Sequence, residues 1–313
     1  MRAAPLPPFT APSGRTPRDL PELPPVPHDW ATWPSRDVHV PRPDGAGRVR
    51  VHCKVLGEGP PLLLVHGLMT SSYSFRYVGR ALSARYRVVV PDLPGAGRSE
   101  APGDLSCVPS AVSDLLAALV RELALDAPYV VGNSLGGYYS LWLAARHPGL
   151  LRRLLVMHAP GVPLARLYAL AAAVRVPGAR RAAAWVMRRD PAAFALRNVH
   201  YRDESLKSRE EAEEYGSIFR SEARTAFFLR ILSESMGPSA MRALHRLLPG
   251  VATPTTLLYA DSDPMVPPAV GPALFRHMPQ ARFLWMRETS HFMHVDTPEA
   301  AVEEILRGDP LSG

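Results

Sequence analysis

The sequence predicts an α/β fold: a mostly parallel, doubly wound sheet with an inserted helical cap. Three observations carry this. Strand-sized apolar runs alternate with segments of helical period over residues 37–161, and again over 250–313, which is the rhythm of strand–helix–strand crossovers. Runs such as Pro61-LLLV-His66 and Tyr86-RVVV-Pro91 are continuous rather than alternating, so those strands are buried on both faces. Residues 162–249 lie between the two blocks and are Ala- and Arg-rich, helical in period, and without a clear strand.

The elements follow in order. Residues 1–36 are Pro-rich and aperiodic, and read as an extended arm that either wraps the surface or hangs free. Val49–Leu56 alternates like a strand and ends in the turn Gly57-Glu58-Gly59. Pro61–His66 is a buried strand, Ser72–Tyr86 is helical in period, and Tyr86–Pro91 is a second buried strand. Val108–Leu125 is an amphipathic helix, with Leu115, Leu116, Leu119 and Leu123 on one face. Tyr129–Gly132 is a strand, Leu135–His147 a helix closed by Pro148-Gly149, and Arg153–His158 a strand. Pro163, Pro177, Pro191 and Pro238 punctuate the helical insert. The rhythm then resumes with strand Thr255–Ala260, helix Pro268–His277, strand Arg282–Arg287 and helix Pro298–Leu306. This gives four parts: the arm 1–36, core 37–161, cap 162–249 and core 250–313.

Composition bounds the class. An apolar content of 47% excludes a disordered chain. No apolar run reaches the ~18 residues that a membrane span needs. The N-terminus is too broken by proline for the apolar part of a signal peptide. A soluble, cytoplasmic protein is expected. The two cysteines, Cys53 and Cys107, form no metal-like spacing and read as free thiols. Of the net charge of +7, six lie between Val162 and Pro249, where 15 Lys and Arg face nine Asp and Glu. That surface suits an acidic partner or anionic lipid, or is simply a solvated Arg-rich face. It lacks the interleaved aromatics of a nucleic-acid groove.

The chemistry starts at Tyr129-VVGNSLGGYY-Ser140. A serine between Gly132 and Gly136, after a buried strand and before a helix, suits a strained elbow. The glycines remove side chains that would clash there, and the helix N-terminus points N–H groups at developing negative charge. A hydroxyl needs a base, and the base needs an orienting carboxylate. Asp261 and Asp263 follow one late strand and His291 follows the next. Ser, Asp, His is the chain order of one known catalytic arrangement.

With these stretches in hand, the chain resembles the α/β-hydrolase superfamily, in particular its capped esterase-like and carbon–carbon-bond hydrolases. The resemblance rests on "LLLVHGLMTSSYSFR", "VVVPDLPGAGRS", "VVGNSLGG", "LLYADSDPMVP" and "TSHFMHVDTPEA", in that order, and covers about residues 38–161 and 250–308. It implies Ser134 as nucleophile and His291 as general base, with Ser290 where the family usually has glycine. It implies Asp263 as the orienting acid, because the family's acid directly precedes the x-x-Val-Pro turn, with Asp261 the runner-up. The backbone N–H groups of Leu68 and Leu135 are the implied oxyanion donors. His66 and Gly67 shape that loop and border the substrate, and His158, which ends a strand on the same sheet edge, is a candidate to line the pocket with them or else a satisfied polar residue. His294 is expected to pack in rather than act as base, and Asp92 and Ser99 read as scaffold.

A cap over the sheet edge makes an enclosed apolar pocket. Trp185 and Phe227 are expected to contact substrate there. Leu164, Leu167, Tyr168, Phe194, Tyr201, Tyr215, Phe219 and Phe228 divide between cap core and lining. The expected activity is cofactor-free, metal-free hydrolysis of a small apolar ester, thioester, lactone or ketone-flanked carbon–carbon bond, with carboxylic esters foremost. A serine nucleophile argues against the dehalogenases and epoxide hydrolases of this fold, whose nucleophile is aspartate. The sequence leaves open acyl transfer or perhydrolysis on the same residues, a non-catalytic ligand-binding protein, and a lipid hydrolase held to membranes by a basic cap. It gives no oligomeric state and no nucleic-acid partner.

Overall fold

The computed structural model describes residues 16–309. Of the arm expected over 1–36, residues 1–15 lie outside the described residues, as do residues 310–313 at the other end. Eight strands form one sheet: β1 (Ser35–Pro41), β2 (Arg48–Leu56), β3 (Pro61–Val65), β4 (Arg87–Pro91), β5 (Tyr129–Asn133), β6 (Arg153–Met157), β7 (Thr255–Ala260) and β8 (Arg282–Met286). Their spatial order is β1-β2-β4-β3-β5-β6-β7-β8. β2 pairs antiparallel with both β1 and β4, and every other pairing is parallel. The continuous apolar runs are the central strands: every residue of β5 and β7 is buried.

The helices are α1 (Gly79–Leu82), α2 (Pro109–Glu122), α3 (Leu135–Arg146), α4 (Ala165–Ala173), α5 (Pro177–Arg189), α6 (Pro191–Asn198), α7 (Arg209–Gly216), α8 (Glu222–Ser235), α9 (Pro238–Leu247), α10 (Val270–Phe275), α11 (Met293–Asp296) and α12 (Pro298–Arg307). Two apolar clusters cover the two faces of the sheet. One gathers α2, α3, α9 and α10. The other gathers α1, α11, α12 and much of the insertion. None of the described helices is long and apolar enough to cross a membrane. Both cysteines are free and buried, and burial pushes their thiols up to about 12, so they stay protonated and inert at neutral pH.

Two segments differ from expectation. The single helix over Ser72–Tyr86 is instead a 3-10 turn at Ser72–Phe75 followed by the one-turn α1. Ser72 to Gly79 is buried apart from the half-buried Tyr77, so the first half of the segment has no solvent face to give, and exposed residues begin only at Arg80. Its backbone is also claimed elsewhere: the Ser72 N–H donates to Asp92 at 2.8 Å. Gly79 sits under the Trp33 ring, where a Cβ would come within 2.3 Å. The second difference is β1, which opens at Ser35, inside the stretch read as an arm. Only Val38 and Val40 point inward there, too short an alternation to mark a strand. The described part of the arm wraps: Trp30 and Trp33 are buried, and the backbone N–H groups of Arg209 and Glu210 donate to Pro21 and Glu22.

Helices α4 to α9 separate β6 from β7 as one insertion. It is tied to the loops of the sheet by buried polar contacts. The Arg76 guanidinium donates to Glu211 of α7 at 2.5 Å with both side chains inaccessible, and Tyr201 donates to the same carboxylate at 2.7 Å. Removing one partner of such a buried pair costs about 3–5 kcal/mol, because it strands the other charge.

Candidate active site

Ser134 is the hinge between β5 and α3. Its backbone has φ 53° and ψ −119°, a conformation that costs a non-glycine residue on the order of 1–3 kcal/mol. The surroundings over-determine it. The Ser134 N–H donates to the Met157 carbonyl at 2.7 Å and its own carbonyl accepts from Tyr138 at 2.9 Å. A Cβ on Gly136 would lie 2.2 Å from the Val65 carbonyl oxygen, and one on Gly132 would lie 2.7 Å from the Gly136 oxygen. The two glycines therefore let β5, α3 and the end of β3 pack against one another, and the serine is thrust out at the carboxyl edge of the sheet.

Asp263 follows β7 and His291 follows β8, so parallel register brings both to that edge. His291 Nδ1 lies 2.6 Å from Asp263 Oδ2. A second imidazole shares that oxygen: His158 Nδ1 lies 3.0 Å from it. The other oxygen, Oδ1, accepts the N–H groups of Met265 at 2.7 Å and Val266 at 2.9 Å. Burial alone would raise the Asp263 pKa. The charge of His291 and the hydrogen bonds from His158 and His291 outweigh it and hold the carboxyl well below the usual range. An ionised Asp263 fixes both imidazoles with the proton on Nδ1, which leaves His291 Nε2 as an acceptor. Burial lowers the His158 pKa, so it serves as a neutral donor.

His158, Asp263 and His291 bring three metal-type donor atoms within 4.8 Å of one another. The contacts of 2.6 and 3.0 Å are hydrogen bonds between nitrogens and one carboxylate oxygen. Each ring nitrogen is thereby engaged with the shared carboxylate oxygen, so the residues fit a hydrogen-bonded acid–base group.

The His291 loop is pinned to the serine elbow by Asn133 Nδ2, which donates to the His291 carbonyl at 3.1 Å. Ser290, at the position where glycine is usual, is accommodated because its hydroxyl and N–H both donate to Asp296 Oδ2, at 2.5 and 2.9 Å. Ser134 and His291 open into one cavity of about 700 Å3 between the sheet edge and the insertion, within the ordinary range for small-molecule sites. Its lining is mostly apolar, with Leu167, Leu170, Phe194, Phe228 and Met265 among the contributors.

A family model described as the alpha/beta hydrolase fold matches residues 60–298. This chain belongs to that family. Among curated relatives, it is 28% identical over 254 residues to the pimeloyl-[acyl-carrier protein] methyl ester esterase of Aeromonas hydrophila, covering 80% of this chain and 95% of that one. It is 33% identical over 132 residues to the 2-hydroxymuconate semialdehyde hydrolase of Pseudomonas sp. strain CF600, spanning 41% of this chain and 47% of that one. Among solved structures, an esterase from Thermogutta terrifontis superposes with a TM-score of 0.67 at 23% identity, over 87% of this chain and 97% of that one.

Within this alpha/beta-hydrolase chain the other expected site residues divide. Gly67, Leu68 and Leu135 line the cavity beside Ser134. Asp261 does not reach His291, and its Oδ1 has no hydrogen-bond partner among the described residues. His294 is buried against Phe75 and Ser74, its Nε2 2.9 Å from the Ser74 hydroxyl. Asp92 accepts the N–H groups of Ser72 and Arg98, and Ser99 donates to the Asp92 carbonyl.

Four expectations are corrected. His66 does not border the Ser134 cavity. Its Nε2 accepts the Leu93 N–H at 2.9 Å and its Nδ1 donates to the Gly67 carbonyl at 2.8 Å, so it shapes the loop. His158 is fully enclosed and turned onto Asp263, away from substrate. Phe227 packs over Gly95 and lines a smaller hollow of about 40 Å3 that adjoins the Ser134 cavity and shares Leu68, Leu135 and Phe228 with it, without lining that cavity itself. Trp185 is 61% exposed on the outer face of α5. Helical spacing placed both aromatics on helices but could not say which side faces inward. Of the other aromatic candidates, Phe194 and Phe228 reach the cavity, whereas Tyr201, Tyr215 and Phe219 are insertion core. Arg166, Asn198 and His200, which supply polar edges to the cavity, carried no signal in the sequence.

Proposed function

We propose that this protein is a serine hydrolase that cleaves an ester-like or ketone-flanked carbon–carbon bond of a small apolar substrate through a Ser134–His291–Asp263 triad. The observation that carries this is His291 held on an ionised, buried Asp263 at 2.6 Å while it and Ser134 face the same apolar cavity. Ser134 Oγ attacks the carbonyl carbon and its proton passes to His291 Nε2. Asp263 stabilises the imidazolium so formed. The N–H groups of Leu68 and Leu135 are assigned to the oxyanion, and Leu135, as the first residue of α3, has no acceptor within its own helix. The tetrahedral adduct collapses, the leaving group takes the proton from Nε2, and an acyl-enzyme remains. Water then attacks the acyl carbon, gives its proton to His291, and Ser134 departs with that proton restored. The insertion acts as a cap that supplies an apolar wall and excludes bulk water.

The test is turnover of a p-nitrophenyl ester series together with fluorophosphonate labelling, wild type beside Ser134→Ala. Joint loss of label and turnover in the variant is expected. A Ser134→Ala protein that still labels or turns over at the wild-type rate overturns the assignment.

A further inference from the structure

We infer that the α4–α5 hairpin of the insertion is a docking surface for an anionic lipid bilayer. Residues 161–189 contain six arginines and no Asp, Glu or Lys. In a chain with a net charge of only +7, this is a concentrated block of one sign. The same hairpin exposes large apolar side chains: Leu170 at 42%, Val176 at 57%, Trp185 at 61% and Val186 at 47%. Four of the nine exposed large hydrophobics among the described residues thus fall on two short helices and the turn between them. Isolated exposed apolar residues are ordinary, but a cluster rimmed by one charge marks a contact surface.

The two features fit one partner. Tryptophan partitions to the headgroup level of a bilayer, with arginines reaching the phosphates beside it. The Arg189 guanidinium already lies 5.2 Å above the Trp185 ring. Arg175, Arg180, Arg181 and Arg188 line a groove of about 370 Å3 between α5 and α8. Among the described residues, Arg175 and Arg180 donate to neutral carbonyls there, those of Ser233 and Ala226, and form no ion pair. Glu222 answers Arg188 at 3.4 Å through an exposed contact, and Asp190 closes the hairpin. The net field facing outward remains positive. Leu170 and Met187, both on this hairpin, also line the cavity that holds Ser134. A docked hairpin therefore sets the cavity edge against the lipid surface, from which an apolar substrate enters without crossing water. The docking itself does not depend on the proposed chemistry.

The test is flotation of the full chain with phosphatidylcholine vesicles, with and without phosphatidylglycerol, at low and high salt. Binding only to the phosphatidylglycerol vesicles, weakening as salt rises, is expected. Paired Arg181→Glu and Arg189→Glu are expected to weaken binding on the order of tenfold or more, since each surface arginine contributes roughly fivefold. The same charge change at Arg85 and Arg121, on other faces, is expected to act much less. Trp185→Ala is expected to weaken binding at every salt concentration. Unchanged thermal midpoints and unchanged hydrolysis of a soluble ester show that these variants are folded. The proposal is overturned by no flotation at low salt, or by a charge-reversed hairpin that binds like wild type. It is also overturned by a soluble dimer that Trp185→Ala disperses, which would assign the face to self-association. Because flotation needs no turnover, a protein that binds vesicles but hydrolyses nothing defeats the hydrolase reading alone.

Discussion

Asp263→Asn isolates the role of the acid because the structure dictates how the amide must sit. Oδ1 accepts two backbone N–H groups, from Met265 and Val266. The oxygen of the introduced amide keeps that place, so its NH2 group takes the position of Oδ2. There it meets the Nδ1 atoms of His291 and His158, which lie 2.6 and 3.0 Å from that position. Both imidazoles must now accept at Nδ1 and carry their proton on Nε2. His291 then has no lone pair for the Ser134 proton. The hydrogen-bond count is kept, so the thermal midpoint is expected to move little, while kcat falls on the order of 10⁴-fold, about 5 kcal/mol. Steady-state hydrolysis of p-nitrophenyl butyrate and the rate of fluorophosphonate labelling read the effect, with KM near wild type. Asp261→Asn is expected to stay near wild type. An Asp263→Asn enzyme within tenfold of wild type, or an equal loss from Asp261→Asn, would refute the reasoning.

The remaining predictions concern the elbow, the cavity wall and buried histidines. Gly136→Ala drives a Cβ to 2.2 Å from the Val65 carbonyl oxygen; a loss of about 3 kcal/mol or more in urea unfolding, or failure to fold, is expected. Phe228→Ala enlarges the cavity and is expected to move the preferred acyl chain of a p-nitrophenyl series to greater length. Trp185→Ala is expected to leave that profile unchanged, and a shift would return Trp185 to the cavity. Burial holds His66, His158 and His294 below the ordinary histidine range. As pH falls past about 6.5 the unfolded chain takes up these protons first, so stability present above that pH is lost as pH falls toward the folded values. Each such group contributes a slope of about 1.4 kcal/mol per pH unit within its window. His294→Gln, whose amide still meets Ser74, is expected to remove one such slope from urea unfolding between about pH 7.5 and 5.5. Parallel pH dependences for variant and wild type would sink it.

The strands were legible because continuous runs such as those of β3, β4 and β5 have only one comfortable place, the middle of a parallel sheet. The serine elbow was legible because it is local: two glycines and a serine between strand and helix. The Ser, Asp, His order was legible because each residue follows a strand and parallel strands deliver their ends to one edge. The helix over Ser72–Tyr86 was misjudged because its apolar residues repeat suitably, yet Trp33 and Asp92, distant in sequence, claim its surface and backbone. β1 was not foreseen because two buried valines are too few to declare a period.

The sequence alone determined most of the strands and helices, β1 and the Ser72–Tyr86 segment excepted, and which residue types meet at the sheet edge. These follow from local periodicity, turn chemistry and chain order. Only the tertiary structure decided that a second imidazole, His158, shares the carboxylate oxygen that holds His291. Only it decided that Phe228 faces the cavity while Trp185 looks outward among arginines. Those outcomes depend on how helices rotate about their axes and cross the sheet, and that rotation is set by packing between segments far apart in the chain.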